Sequence, residues 1–139
     1  MAGKKFQLRV ITPAETKVDE QVEMVIMRCI DGDWGVMAGH DMRSGVLDFG
    51  AVRIINEGIE RRLAAYGGIA EVQNDVLTIL THEVHWPEDI NRELAKADRD
   101  YAEKHLREKL EDADVQKYGV TLRRALVQIE VSSYTMVGK

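Results

Sequence analysis

Gly32-Asp33-Trp34-Gly35-Val36-Met37-Ala38-Gly39-His40 places three glycines within eight positions and closes on a histidine. Glycine at that density weakens a regular strand or helix, since each one costs backbone entropy and offers no side chain to pack. The run therefore reads as a tight loop, a short strand and a second turn. On either side the pattern stays β. Phe6, Leu8 and Val10 alternate with Gln7 and Arg9, and Val22, Met24 and Ile26 alternate with Glu23 and Val25. Val52, Ile54 and Val76-Leu77-Thr78-Ile79-Leu80 continue the β-rich composition. Turn signals at Thr12-Pro13, Asp31-Gly32, Asn56-Glu57-Gly58, Gly67-Gly68 and Asn74-Asp75 recur about every ten residues. Short strands at that spacing predict an antiparallel β-sandwich or flattened barrel over residues 1–86.

After Trp86-Pro87 the period changes. Asp89 is a candidate N-cap. Ile90, Leu94, Ala97 and Tyr101, then Ala102, Leu106, Leu110 and Ala113, predict an amphipathic helix of about six turns. Asp100 with Lys104 and Glu103 with Arg107 stand four apart with the acid first, the favourable order on an exposed face. Glu111-Asp112-Ala113-Asp114 reads as a turn. Val115, Tyr118, Leu122, Ala125 or Leu126, and Ile129 form a second helical stripe, which Gly119 weakens by about 1 kcal/mol relative to alanine. Two helices on a short link make an antiparallel hairpin over residues 87–139. Each helix has one narrow apolar stripe, so mutual contact uses up both. The expectation is a hairpin that docks on the β domain or swings away from it.

The chain has 139 residues, a net charge of −5, 45% hydrophobic and 31% charged residues. That balance suits a globular domain with an appendage. An acidic chain with no long basic run does not fit nucleic-acid binding. A single cysteine, Cys29, excludes an intrachain disulfide and reads as a buried, inert thiol. No apolar stretch approaches the ~18 residues of a membrane-spanning helix. Lys4, Lys5 and Arg9 are not followed by the apolar core of a signal peptide. Membrane association is expected only through a partner, without direct insertion. Met24, Met27, Met37, Met42 and Met136 read as core filler.

Few residues suggest chemistry. His82-Glu83-Val84-His85 has histidines three apart at the end of a strand, which would point them to opposite faces, and a zinc-binding helix needs them four apart. His40-Asp41 lacks a marked nucleophile nearby. Gly32-x-x-Gly35-x-x-x-Gly39 is followed by neither Gly-Lys-Ser/Thr nor a helix, so it is not a phosphate loop. No catalytic residue, metal ligand or cofactor is expected. Arg61-Arg62 reads as a solvated pair. Arg123-Arg124 with Lys117 forms a basic cluster on a helix of an acidic protein, able to meet an acidic partner surface.

Ile11-Thr12-Pro13, Val22-x-x-Val25, Gly32-x-x-Gly35-Val36, Gly39-His40, Gly50, Gly67-Gly68, Glu71-Val72 and Val76-x-Thr78-Ile79-Leu80 together resemble, in order and spacing, the epsilon subunits of bacterial F-type ATP synthases. The resemblance covers nearly the whole chain. It implies a non-catalytic subunit of the central stalk, or rotor, whose β-sandwich binds the gamma subunit and rests on the c-ring. It implies a peripheral place at the cytoplasmic face of the plasma membrane. By this analogy Asp31, Gly32, Gly39, His40 and Asp41, with the segment 41–46, face the c-ring. Lys117, Arg123 and Arg124 would meet the beta subunit of the alpha/beta catalytic head when the hairpin extends and blocks ATP hydrolysis.

Two departures stand out. The family's Leu-Pro-Gly-His-Ala-Pro is here Met37-Ala38-Gly39-His40-Asp41-Met42, with both prolines lost and a charge added. The ATP-binding Ile/Leu-Asp-x-x-Arg-Ala of some bacterial members is here Ile90-Asn91-Arg92-Glu93-Leu94-Ala95. Of that nucleotide site Asn91 and Arg124 remain as candidates, and Gln128 stands where a second arginine would follow. Weak or absent ATP binding is expected. The alternatives are a stand-alone ATP-sensing module, a small enzyme using His40 and Asp41, and an unrelated protein-interaction scaffold.

Overall fold

The computed structural model describes residues 3–134. Eight strands come first: β1 (Phe6–Ile11), β2 (Thr16–Val22), β3 (Met24–Cys29), β4 (Gly32–Met37), β5 (Arg43–Asn56), β6 (Ile59–Gln73), β7 (Val76–Leu80) and β8 (Val84–His85). A 3₁₀ turn at Pro87–Asp89 leads to two helices, α1 (Arg92–Leu106) and α2 (Asp112–Ser133). The strand order is β2-β1-β7-β6-β5-β3-β4, with β8 pairing β6. The pairings are antiparallel except β1 with β7, which is parallel.

This strand path folds over into two layers because β5 and β6 are long and run through both. They pair from Arg43↔Val72 to Asn56↔Ile59, and β6 changes partner along its length. Its first half holds β8 through Ala64↔His85 and its second half holds β7 from Ile69↔Leu80 onward. The corner is Gly67-Gly68, with φ of 91° and 135°, where a side chain is disfavoured. The two layers then share one core, to which Val18 and Val22 from β2 and Trp34 and Val36 from β4, the opposite ends of the strand order, all contribute. That is the sandwich the spacing predicts, and its core contains no residue from either helix.

A slip of one residue separates the sequence pattern from the observed faces. Val22 points inward, but on β3 it is Val25, Met27 and Cys29 that are buried, while Met24 and Ile26 are only half-buried. The chain bends at Glu23 to change strands, so the two-residue period restarts there. The methionines also divide: Met27 is in the core, Met24 is half-buried, Met37 and Met42 are 58% and 71% exposed, and Met136 lies outside the described residues. Cys29 is buried as expected, and burial raises its thiol pKa.

The helices start and stop differently from the pattern. Asn91 caps α1, its side-chain oxygen accepting the Leu94 N–H at 3.0 Å, and Asp89 belongs to the 3₁₀ turn. Pro87 fixes that short turn first, which postpones the helix. With 15 residues α1 makes about four turns, not six. Asp112–Asp114 is the first turn of α2, where acids favour the helix N-terminus, so Leu110 and Ala113 do not continue the first stripe. Asp100 pairs with its neighbour Arg99 at 3.0 Å.

A second, smaller core fastens the hairpin. Val127 and Val131 of α2 cover Ala51 and Ala64 on the outer face of β5 and β6, with Phe49, Tyr66 and Ile90 packed around them. The two stripes are thus not fully used between the helices, and the second half of α2 lies against the sandwich.

Candidate functional site

The glycine-rich run is organised around Trp34, buried on β4. Its indole N–H can only donate, and it reaches Nε2 of His40 at 3.2 Å. The other ring nitrogen of His40 therefore carries the proton and donates to the Asp41 carbonyl at 2.7 Å. Both nitrogens are engaged in holding the loop. Gly39, at φ 83°, donates its N–H to the Asp75 carboxylate at 2.7 Å. The Arg43 guanidinium lies 4.6 Å from the centre of the Trp34 ring and 3.9 Å from the Asp31 carboxylate. Asp31 in the β3–β4 turn is therefore linked through Arg43 and Trp34 to His40 in the loop that follows β4. Gly39, His40 and Asp41 rim an open depression of about 470 Å³ with Met42, Gln73, Asn74 and Asp75. Gly32 supplies the positive φ of the preceding turn, at 123°. Arg43 was expected only as part of the segment 41–46 and Asp75 only as part of a turn, and no role was read for Trp34.

The basic residues of α2 are divided. Lys117 sits exposed on the half of the helix away from the sandwich, its ammonium 5.9 Å from the Tyr118 ring. Arg123 and Arg124 face the β domain. Arg123 is 4.6 Å over Phe49 and 4.0 Å from Asp48. Arg124 is 4.3 Å over Tyr66 and 2.8 Å from Glu83. The hydrogen bond with Arg124 lowers the pKa of Glu83, and the same bond raises that of Arg124. Burial pushes the Tyr66 phenol up, against the smaller opposing pull of Gln128 and Arg124. A second brace lies toward the end of α2. Arg62 reaches Glu130 at 3.8 Å and stacks 4.2 Å from Tyr134, whose hydroxyl donates to the Glu60 carbonyl at 3.0 Å.

The two candidate nucleotide contacts both have partners already: Asn91 caps α1, and Arg124 holds Glu83. Among the described residues no group of three or more His, Cys, Asp and Glu gathers as a metal site.

Residues 5–87 match the family model described as ATP synthase, delta/epsilon chain, beta-sandwich domain. The chain belongs to the ATP synthase delta/epsilon chain family. It is 37% identical to the ATP synthase epsilon chain of Caldicellulosiruptor bescii over 128 residues, covering 92% of this chain and 93% of that one. It is 40% identical to the epsilon chain of Brevibacillus brevis, covering 92% and 98%, and 33% identical to that of Bacillus subtilis, covering 93% and 98%. The fold resembles a chain of the Euglena gracilis mitochondrial ATP synthase OSCP/F1/c-ring assembly, with a TM-score of 0.83, 22% identity, and 96% and 84% coverage. It also resembles a chain of the Tetrahymena thermophila central stalk/c-ring structure, with a TM-score of 0.64 and 11% identity. The bacterial epsilon chains set the family type, so the molecule is an epsilon-type subunit of ATP synthase, one component of a membrane-associated complex. No described helix is long and apolar enough to cross a membrane.

Proposed function

We propose that this chain is a non-catalytic rotor subunit, with residues 1–86 as a coupling domain and residues 87–139 as a movable regulatory arm that restrains ATP hydrolysis. The observation that carries the reading is that the molecule has two cores with no residue in common. The sandwich is closed without the helices. The arm touches it mainly through two valines over two alanines and a set of charged contacts, so it can leave without opening the main core. A two-state element of this kind needs conformations separated by only a few kcal/mol.

The outer face of the second layer supports a partner role. Val46, Ile69 and Leu80 stand in register across β5, β6 and β7, at 49%, 54% and 50% exposed, and Ile11 continues the row on β1. A strip of exposed apolar side chains across a sheet is a protein interface rather than a solvent face, and it is the surface we assign to the gamma subunit. The braced loop of Asp31, Gly32, Gly39, His40 and Asp41, with exposed Met37 and Met42 beside it, is assigned to the polar loops of the c-ring. Lys117, Arg123 and Arg124 are assigned to the beta subunit in the extended state. The subunit thus sits peripherally, at the cytoplasmic face of the bacterial plasma membrane.

The test is ATP hydrolysis by the matching catalytic head lacking this subunit, with either the full chain or a version ending at Trp86 added back. Suppression by the full chain alone is the expected result. Binding of both without suppression by either would leave a coupling element with no inhibitory arm. Binding of neither would overturn the rotor assignment.

A further inference from the structure

Arg123 and Arg124 are received by the β domain in the same manner, one after the other. Each guanidinium lies over an aromatic ring and beside a carboxylate: Phe49 and Asp48 for Arg123, Tyr66 and Glu83 for Arg124. Phe49 and Tyr66 are cross-strand partners on β5 and β6, and their rings meet edge to face at 6.0 Å. The two seats therefore share one rigid piece of sheet. His85 on β8 braces the second seat. Its Nε2 lies 3.0 Å from the Glu83 carboxylate, and its Nδ1 lies 2.8 Å from the Tyr66 hydroxyl. One histidine thus positions both the ring and the acid that grip Arg124.

The apolar share of the docking is small, since two of its four buried residues are alanines. We infer that Asp48-Phe49 and Tyr66-Glu83 form a two-seat guanidinium receptor on the β domain, which keeps the arm docked and withholds Arg123 and Arg124 from any acidic partner. The receptor is specific for arginine. A planar guanidinium stacks on a ring while its edge meets a carboxylate, and a lysine ammonium offers only a point charge. The consequence for partners rests on the proposed role of these arginines in the arm. The receptor itself does not.

The experiment uses the full chain with Cys29→Ala and spin labels at Gln73→Cys and Lys109→Cys, both exposed, and reads docked and released populations by pulsed EPR. The native pair should give one dominant distance. Arg123→Gln and Arg124→Gln should each raise the released-to-docked ratio roughly three- to tenfold, with an unchanged Trp34 environment reporting an intact sandwich. The double lysine variant, Arg123→Lys with Arg124→Lys, should recover less than half of that loss. Docking by the double lysine variant as tight as native, or no effect of the double glutamine variant, overturns the receptor. Polyglutamate added at constant ionic strength should release the native arm, and no release overturns the competition. Neither outcome depends on ATP hydrolysis, so failure of the inhibitory-arm reading would show in the hydrolysis assay and not here.

Discussion

Gly68→Ala tests the account of how the sandwich closes. Gly68 has a φ of 135° at the corner of β6, and an added Cβ would fall 2.5 Å from the Leu80 carbonyl oxygen and 3.1 Å from the Thr81 Cβ. Two costs combine. A side chain at positive φ costs roughly 1–2 kcal/mol. The steric overlap is with backbone rather than the free end of a side chain, so β7 must move, which adds about 1–3 kcal/mol. The sum is about 3 kcal/mol, or about 12 °C or more in Tm for a domain of this size. Gly58→Ala is the control, with a φ of 79° but nothing within 4 Å of an added Cβ. It should cost roughly 1 kcal/mol, the conformational part alone. Urea unfolding followed by the fluorescence of Trp34 and Trp86 measures both variants. If the two differ by less than about 0.5 kcal/mol, the corner at Gly67-Gly68 is not what brings the layers together.

Three further outcomes follow from the arm and its contacts. Val131→Ala, at a fully buried position of the second core, should weaken docking by about 1.5–2.5 kcal/mol. Amide exchange should then quicken along α2 and stay unchanged in β1 and β7. Acidification should also loosen the arm. Arg124 holds the pKa of Glu83 below the usual 4.5, so this pair lends the docked arm stability that is complete above that value and lost as pH falls through the lowered folded-state value. Labels on the arm should report little change from about pH 7 to 5 and release toward about pH 3, and a loss confined to the range above 5 would contradict this assignment. Calorimetric titration with ATP should show no micromolar binding, because Asn91 is committed to the helix cap and Leu94 offers no charge for a phosphate.

The sandwich was legible because its strands alternate and its turns carry glycine, asparagine and aspartate where positive φ is needed. Glu57, Gly58, Asn74 and Asp75 all adopt it. Legibility failed where one local rule competed with another. At Glu23 a change of strand reset the two-residue period, and at Pro87 a 3₁₀ turn displaced the cap from Asp89 to Asn91. The loop over positions 31–41 was marked by its glycines, and its assignment as a site came from the family resemblance. Trp34 holds the loop from within it, while Arg43 of β5 and Asp75 of the β6–β7 turn meet it only in three dimensions. Arg123 and Arg124 were visible as charges, but nothing in the sequence near them announces Phe49, Tyr66 or Glu83, which lie 40 to 75 positions away.

The arm also explains why its docked position has to be held by specific polar contacts. Only Ala95 and Ala102 of α1 are buried, while Leu94 and Tyr101 stay exposed, as do Val115, Val120 and Leu126 on α2. A helix of 15 residues is near the length at which isolated helices become marginal in water, and Gly119 weakens its partner further. Left alone, the hairpin gains little from its own packing. Docking adds two valines and the paired arginines. Ala51 and Ala64 are buried beneath Val127 and Val131, so larger side chains there would overfill the contact and push the arm away. On the proposed reading, small residues beneath the arm and charges around it leave a balance that an acidic surface can tip.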